Sequence, residues 1–507
     1  NIVWTGRPIK CLGIYIDHDL NKCFKLNWER RLDKIEKLII NWKKRKLTLF
    51  GRVYVIKTYL LSVLVFPATV LPVPPNVINR FRDMVFEYLW DGKRDKVKRT
   101  TVIKTVNEGG LSMVDIDNFI SSVKAGWIPK LMTIPGKWTS VVHHLLSRLG
   151  ITLDYLLRSS FRCVEQFKVI KDLPLFYQEV FIAYNKCKYI KPFNLLVESE
   201  IAMLPLWGCS YFKSSDECLY VKSLISNNIM YVKDIIKDGV IMSDMELAEC
   251  CSDKRAVYRD LYIIKNYVVK KIKHLDLSVA PYVNIKPVVH LVQCNRLVEI
   301  KSLKSKSLYW ILTKKKSSKG NMESIFAREF GFENHSYIWG KIYTQKLQSV
   351  KIPKLREFCF KLLHNIVPSG AVISKWNKKI DERCEYCKQR ENTRHMLYDC
   401  KRVRDLWQEL ENVTKVNVTW KNIVCGFPSY DQNVRIRCMN YIITYVVYCM
   451  FKSNSFSKFH DKDYGRIDLK VTIKSQFGLF ARMVHMVDPS VVDSKLFTAV
   501  LKNFTDN

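Results

Sequence analysis

Four residues constrain this chain more than any others. Cys384, Cys387, His395 and Cys400 are spaced C-x2-C-x7-H-x4-C within ERCEYCKQRENTRHMLYDC. Three thiolates and one imidazole are a sufficient donor set for tetrahedral zinc. The Cys-x2-Cys step lets two sulfurs from one turn reach the same ion. The spacer before His395 leaves room for a loop or a short strand. His395 and Cys400 are about one helical turn plus one residue apart. The alternative is a chance cluster in a hydrophobic core, but the surrounding residues are polar and charged and make poor core material. The expected cofactor is therefore a structural Zn2+ held by these four side chains. The thiols must lose their protons to bind it, so metal uptake and local folding should be coupled.

The rest of the composition narrows the partners. Lys and Arg number 83 against 48 Asp and Glu, a formal charge of +35 over 507 residues. Self-repulsion of this size is normally tolerated because the partner is a polyanion. Nucleic acid is the first candidate, and an anionic membrane is the second. No lipidation signal stands at either end. Hydrophobic residues make up 48% and aromatics 12%, which is ample for a folded core. Of the 16 cysteines, those outside the metal-like set are scattered. Cys359, Cys438 and Cys449 sit in apolar contexts that fit reduced, buried thiols rather than disulfides. No charged-then-apolar leader opens the chain. The longest apolar stretch, Cys438 to Phe451, contains Asn440 and Thr444 and is short for a membrane span. These features predict an intracellular protein of the nucleus or cytoplasm with no membrane partner.

Helical patterns dominate, so the expected fold class is mainly α, multi-domain, with a short N-terminal strand and a small zinc-binding module. The opening IKCLGIYIDHD reads as one strand, with Leu12, Ile14 and Ile16 on one face. A lone strand has nothing to pair with, which suggests that an N-terminal part precedes it. Trp28, Leu32, Ile35, Ile39 and Trp42 then form an apolar helical stripe ending in the basic knot Lys43, Lys44, Arg45 and Lys46. Thr48 suits the N-cap of a second helix, expected to break at PATVLPVPP. Asn76 suits the cap of a third, running to Trp90. Gly109-Gly110 marks a turn, and Asp115 or Asp117 a new helix start. The segment YVKDIIKDGVIMSDMEL reads as a short helix, a turn at Asp238-Gly239, and a helix capped by Ser243. The Lys-rich link at Lys314 to Lys319 reads as an exposed linker. Val403, Leu406, Trp407 and Leu410 face inward on one helix, and a hairpin-like core is expected around Met439 to Phe451.

The order of these features resembles the C-terminal part of the reverse transcriptase of non-LTR retrotransposons (long interspersed elements). CLGIYID is similar to the closing strand of the polymerase palm. NWKKRKLTLFGRVYVIK is similar to the family's thumb pattern, with Trp42, Arg45, Leu47, Thr48, Gly51, Arg52, Ile56 and Lys57 at its positions. FEYLWDGKRDKVK, NEGGLSMVDI and AGWIPKLM resemble the family's linker, with Leu89-Trp90 where Phe or Leu precedes Trp. REFCFKLLHNIVPSG and the metal stretch resemble its zinc-binding region. Glu391 and His395 keep the family's Glu-Thr-x-x-His spacing there, with Asn392 in place of Thr.

The resemblance implies domains at 1–20 (palm remnant), 21–135 (thumb-like, with basic linker), 136–350 (helical linker), 351–410 (zinc-binding) and 411–507 (C-terminal helical). It implies RNA or DNA as partner, together with a preceding polymerase part of the same polyprotein, in target-primed reverse transcription. The residues expected to meet phosphate are Lys43, Lys44, Arg45, Lys46, Arg52 and Lys57, and around the metal Arg383, Lys388, Arg390 and Arg394. Tyr386 or Tyr398 is a candidate for base stacking, with packing against the zinc stretch as the alternative. The family's polymerase centre needs paired aspartates to hold two cations. This sequence contains no Asp-Asp pair, so the chain alone is not expected to polymerise. Two alternatives are a restriction-like endonuclease fragment, for which Asp461, Asp463, Asp468 and Lys470 are the candidates, and a non-enzymatic zinc-stabilised scaffold.

Overall fold

The computed structural model describes residues 7–251, 261–275, 290–293, 296–314, 321–331, 336–375, 377–427, 433–459 and 469–505. Within them the fold is mainly α, as the periodicity predicts. Among the described residues the β-structure is confined to short two-stranded antiparallel pairs and isolated bridges. No single described helix is long and apolar enough to cross a membrane. The chain divides into two compact units, each assembled from separated stretches. One comprises Asn1–Arg31, Val63–Arg80 and Asp115–Lys316, and the other Leu32–Ser62, Phe81–Val114 and Ser317–Asn507.

In the first unit the expectation of a lone N-terminal strand is corrected. Leu12 (φ 48°) and Gly13 (φ 81°) turn the chain back, and Ile9–Cys11 pairs with Ile14–Ile16. Two successive left-handed residues are what a two-residue hairpin requires. The segment therefore supplies its own partner strand, and Leu12 lies out on the turn, 84% exposed. Asn27 fixes this hairpin by donating to Tyr15 O (2.7 Å) and accepting from Tyr15 N (2.9 Å). Further along, Asp115 caps the helix Ile116–Ala125 by accepting from Asn118 N. That helix packs against Leu175–Cys187 and Ser305–Lys314. Asp238 and Gly239 make the expected turn, which joins two short strands, and Ser243 caps Asp244–Glu249 with a reciprocal Glu246 contact. Trp207 is fully buried. Its indole N–H donates to Ile229 O, and Tyr155 OH bonds to its backbone.

The helix expected to stop at Pro67 instead continues to Val70. The π-turn ends at Leu60, with Leu61 N still donating to Ile56 O, and a new helix starts at Ser62, so Pro67 falls in the second turn of Ser62–Val70. There the proline removes the ladder bond to Val63 O, and the helix runs on for only three more residues.

In the second unit Thr48 Oγ1 caps Leu49–Val55, and a π-turn, Ile56–Leu60, follows. Gly109 is left-handed (φ 80°), and a Cβ there would lie 2.4 Å from the Tyr343 ring. The His364 Nε2 hydrogen bonds to Gly109 O at 2.6 Å, so this turn is seated on the helices Ser336–Gln348 and Pro353–Leu363. The expected hairpin around Met439 to Phe451 is one uninterrupted helix, Val434–Phe459. Its residues Cys438 to Val447 are all buried. An element buried on every side loses the 3.6-residue alternation that marks surface helices. This helix packs against Pro353–Leu363, Leu469–Val487 and the π-turn that carries His395.

Candidate metal centre

The metal-binding stretch begins as a short ribbon. Cys384 N donates to Gln389 O (2.8 Å), Glu391 N donates to Glu382 O (2.8 Å), and Arg383 bridges Arg390. Lys388 N returns to Cys384 O at 2.9 Å, with Lys388 itself left-handed at φ 59°. This tight return after Cys-x2-Cys points the Cys384 and Cys387 sulfurs to one side.

The ribbon runs into a short helix at residue 393. Asn392 Oδ1 accepts from His395 N at 2.7 Å. Asn392 thus does the N-capping work that a Thr would do at this position. His395–Asp399 is a π-turn, closed by Cys400 N donating to His395 O at 3.0 Å. An i→i+5 bond brings the fifth residue back beside the first, whereas α geometry at about 3.6 residues per turn would swing it past. The π-turn is therefore the device that lets H-x4-C converge.

The four donors come together as the spacing predicts. Cys384 Sγ and Cys400 Sγ are 3.8 Å apart, and Cys387 Sγ and His395 Nε2 are 3.1 Å apart. All four donor atoms lie within 4.8 Å of one another. A zinc ion bound tetrahedrally at ordinary bond lengths sets sulfur–sulfur edges of about 3.8 Å and sulfur–nitrogen edges of about 3.5 Å. The Cys384–Cys400 edge matches, the Cys387–His395 edge is slightly short, and all donor pairs lie within about one ångström of the ideal edge length, so the donor set fits Zn2+ after small side-chain adjustment. Cys384, His395 and Cys400 are buried and Cys387 is half-buried. All four positions are filled by protein, the pattern of a structural rather than a catalytic ion. The contact between the Cys384 and Cys400 sulfurs, in which either can donate, pulls the Cys384 thiol below its ordinary value and pushes the Cys400 thiol above it.

Behind the ligands lies a buried polar anchor. Glu391 Oε1 accepts from Gly370 N (2.8 Å) and Asn454 Nδ2 (2.9 Å) and pairs with Lys458 Nζ (2.9 Å). Asn454 and Lys458 lie on the helix Val434–Phe459, so the ribbon is tied to the unit's central helix. Ser457 Oγ adds a bond to Glu385 at 3.0 Å. The Trp407 indole donates to Leu397 O at 3.1 Å, satisfying a carbonyl of the π-turn. Val403, Leu406, Trp407 and Leu410 are buried, as their spacing predicts.

The cationic residues named from sequence fall into different environments. Lys44 and Lys46 are exposed. Lys43 pairs with Glu87 at 3.6 Å, and the Arg45 guanidinium lies 4.8 Å from the centroid of the Trp42 ring. Lys57 Nζ donates to Ser112 O at 3.2 Å. Arg52 is turned inward. It donates to the carbonyls of Leu47, Tyr88 and Leu89 and pairs with Asp91, leaving its side chain 14% exposed. Around the metal stretch, Arg383 and Lys388 are exposed, Arg390 pairs with Glu382, and Arg394 pairs with Glu329 and Asp399. Tyr386 is 45% exposed and carries the Arg402 guanidinium over its ring at 4.3 Å. Of the nuclease candidates, Lys470 pairs with Glu409 at 2.6 Å. Asp461, Asp463 and Asp468 lie outside the described residues, as do 315–319 of the Lys-rich link.

Sequence reasoning missed Lys458, Asn454 and Arg402. Only Glu391 carried a signal, through its fixed spacing from His395.

Residues 303–407 match the family described as zinc-binding in reverse transcriptase. The match contains all four clustered donors and the anchoring Glu391. The segment that builds this centre is thus similar to the zinc-binding module associated with reverse transcriptases.

Proposed function

We propose that this chain is a nucleic-acid-binding C-terminal part of a non-LTR retrotransposon reverse transcriptase. The observation that carries the reading is the Cys3His cluster within the matched segment, on a chain whose excess cationic charge calls for a polyanion. The zinc ion holds the ribbon, the π-turn and the following helix as one rigid platform. Arg383 and Lys388 on the ribbon, and Lys44 and Lys46 after the first long helix, are the exposed cations that meet phosphate. Contacts of this kind position a nucleic acid without reading its sequence. The chain has no adjacent aspartate pair, so nucleotide addition belongs to a polymerase part acting with it. Its own role is to hold template RNA or target DNA in place during target-primed synthesis.

Fluorescence anisotropy of the zinc-loaded chain with structured RNA and duplex DNA tests the proposal. Binding at 50 mM salt that weakens steeply by 200 mM salt is expected for an interface built on several phosphates. No binding to either ligand at low salt overturns it.

A further inference from the structure

Where the basic knot joins the helices Arg30–Lys43 and Leu49–Val55, cations and aromatic rings are layered. The Arg45 guanidinium lies over Trp42 at 4.8 Å, and the Trp42 ring centroid is 5.0 Å from that of Tyr59, tilted by 46°. Tyr59 is 46% exposed, and Tyr54 on the same helical run is 66% exposed. Leu60 and Ile56, by contrast, are fully buried. Tyr59 sits within the π-turn Ile56–Leu60, and the extra residue in that turn alters the register between the buried stripe and the exposed aromatic. π-turns of this kind concentrate at functional sites. Lys44 and Lys46, the sequence neighbours of Arg45, are exposed. Large aromatic surface left in water next to lysines is poorly explained by packing alone. It matches the way proteins receive unpaired bases, with ring faces for the base and cations for the flanking phosphates.

We infer that Trp42, Tyr59 and Arg45 form a stacking shelf for an unpaired nucleobase, with Lys44 and Lys46 engaging the adjoining phosphates. The inference rests on the nucleic-acid reading above and deepens it by naming the ligand class, a single-stranded segment of RNA or DNA. A base inside a duplex has both faces covered by its neighbours and a duplex exposes faces only at its two ends, so the shelf favours unpaired bases. Every base has such a face, so recognition here is independent of sequence. Arg45, stacked on the indole, stiffens the platform and supplies charge without a hydrogen-bonding pocket for any one base.

The test uses the full zinc-loaded chain and three labelled probes of equal length: oligothymidylate, the same backbone with abasic sites, and a blunt duplex. Oligothymidylate is expected to bind more tightly than the abasic backbone. Tyr59→Ala is expected to weaken oligothymidylate binding about 5- to 150-fold, the range for loss of one stacked base. The same variant should leave abasic binding unchanged, and Tyr59→Phe should retain the preference. The double variant Lys44→Gln/Lys46→Gln should weaken both single-stranded probes together. Equal binding of the oligothymidylate and abasic probes overturns the shelf while leaving the wider reading intact. So does a Tyr59→Ala loss of the same size on both. Failure of all three probes to bind overturns the wider reading and the shelf with it.

Discussion

Glu391 and Lys458 form an ion pair at 2.9 Å in which both side chains are almost completely buried. The pair ties the metal-binding ribbon to the helix Val434–Phe459, and Glu391 also accepts from Gly370 N and Asn454. Removing one partner strands a charge in a dry site. Lys458→Met is therefore expected to destabilise the zinc-loaded unit by about 3–5 kcal/mol. Adding Glu391→Gln to it should recover part of that loss, since no lone charge remains. A double-mutant cycle by chemical denaturation reads this directly.

The opposite outcome is expected at Lys346. Its side chain is wholly buried, and among the described residues its hydrogen bond is to Thr444 Oγ1 at 3.4 Å, with no carboxylate paired to it. Burial pushes its pKa down from the usual lysine value. The unfolded chain thus binds this proton more readily than the folded one. Stability should rise with pH between the depressed folded value and the ordinary lysine value, and the penalty should be greatest below that window. Lys346→Met keeps the volume and removes the charge. It is expected to raise stability by about 1–4 kcal/mol near neutral pH and to flatten the alkaline rise. Unfolding midpoints across pH 7 to 11 check both parts.

The glycines of the Gly109-Gly110 turn are expected to differ from Gly92. A Cβ at Gly110 would lie 1.9 Å from Lys104 O, which is backbone and cannot swing away. At Gly92 (φ 72°) a Cβ meets nothing within 4 Å, so alanine there brings only the left-handed penalty of about 1–2 kcal/mol. Gly110→Ala forces the backbone apart and should cost more than Gly92→Ala. Thermal denaturation of the two variants side by side decides it.

Asn392 is expected to act as a cap and nothing more. Asn392→Ala should cost about 1 kcal/mol through the lost bond to His395 N, whereas Asn392→Thr should be nearly neutral. Zinc-loaded unfolding midpoints separate the two.

What the sequence could reveal here follows from how local each cause is. The metal donors were legible because four ligand types at close spacing leave few other uses for polar surroundings. Their convergence still needed the π-turn at His395–Asp399, which no residue pattern announces. Thr48, Asp115 and Ser243 were legible as caps because capping acts within three residues. Lys458 and Asn454 were not, because their partnership with Glu391 depends on how a distant helix crosses the ribbon. The Leu12-Gly13 turn was hidden because leucine seldom adopts a left-handed backbone, so simple alternation suggested one continuous strand. Arg52 carries the look of a phosphate contact in sequence, yet its guanidinium closes the end of the helix Pro75–Trp90 by binding the Tyr88 and Leu89 carbonyls. Cys438 to Val447 lost their helical rhythm because every side of that helix is covered.

The most direct measurement is the metal content of the reduced, purified chain. One zinc per chain is expected, with the stoichiometry lost in Cys384→Ser, Cys400→Ser and His395→Ala, and with a chelator lowering the unfolding midpoint of the parent chain. A parent chain that carries no stoichiometric zinc, yet unfolds at the same midpoint with and without chelator, would contradict the assignment.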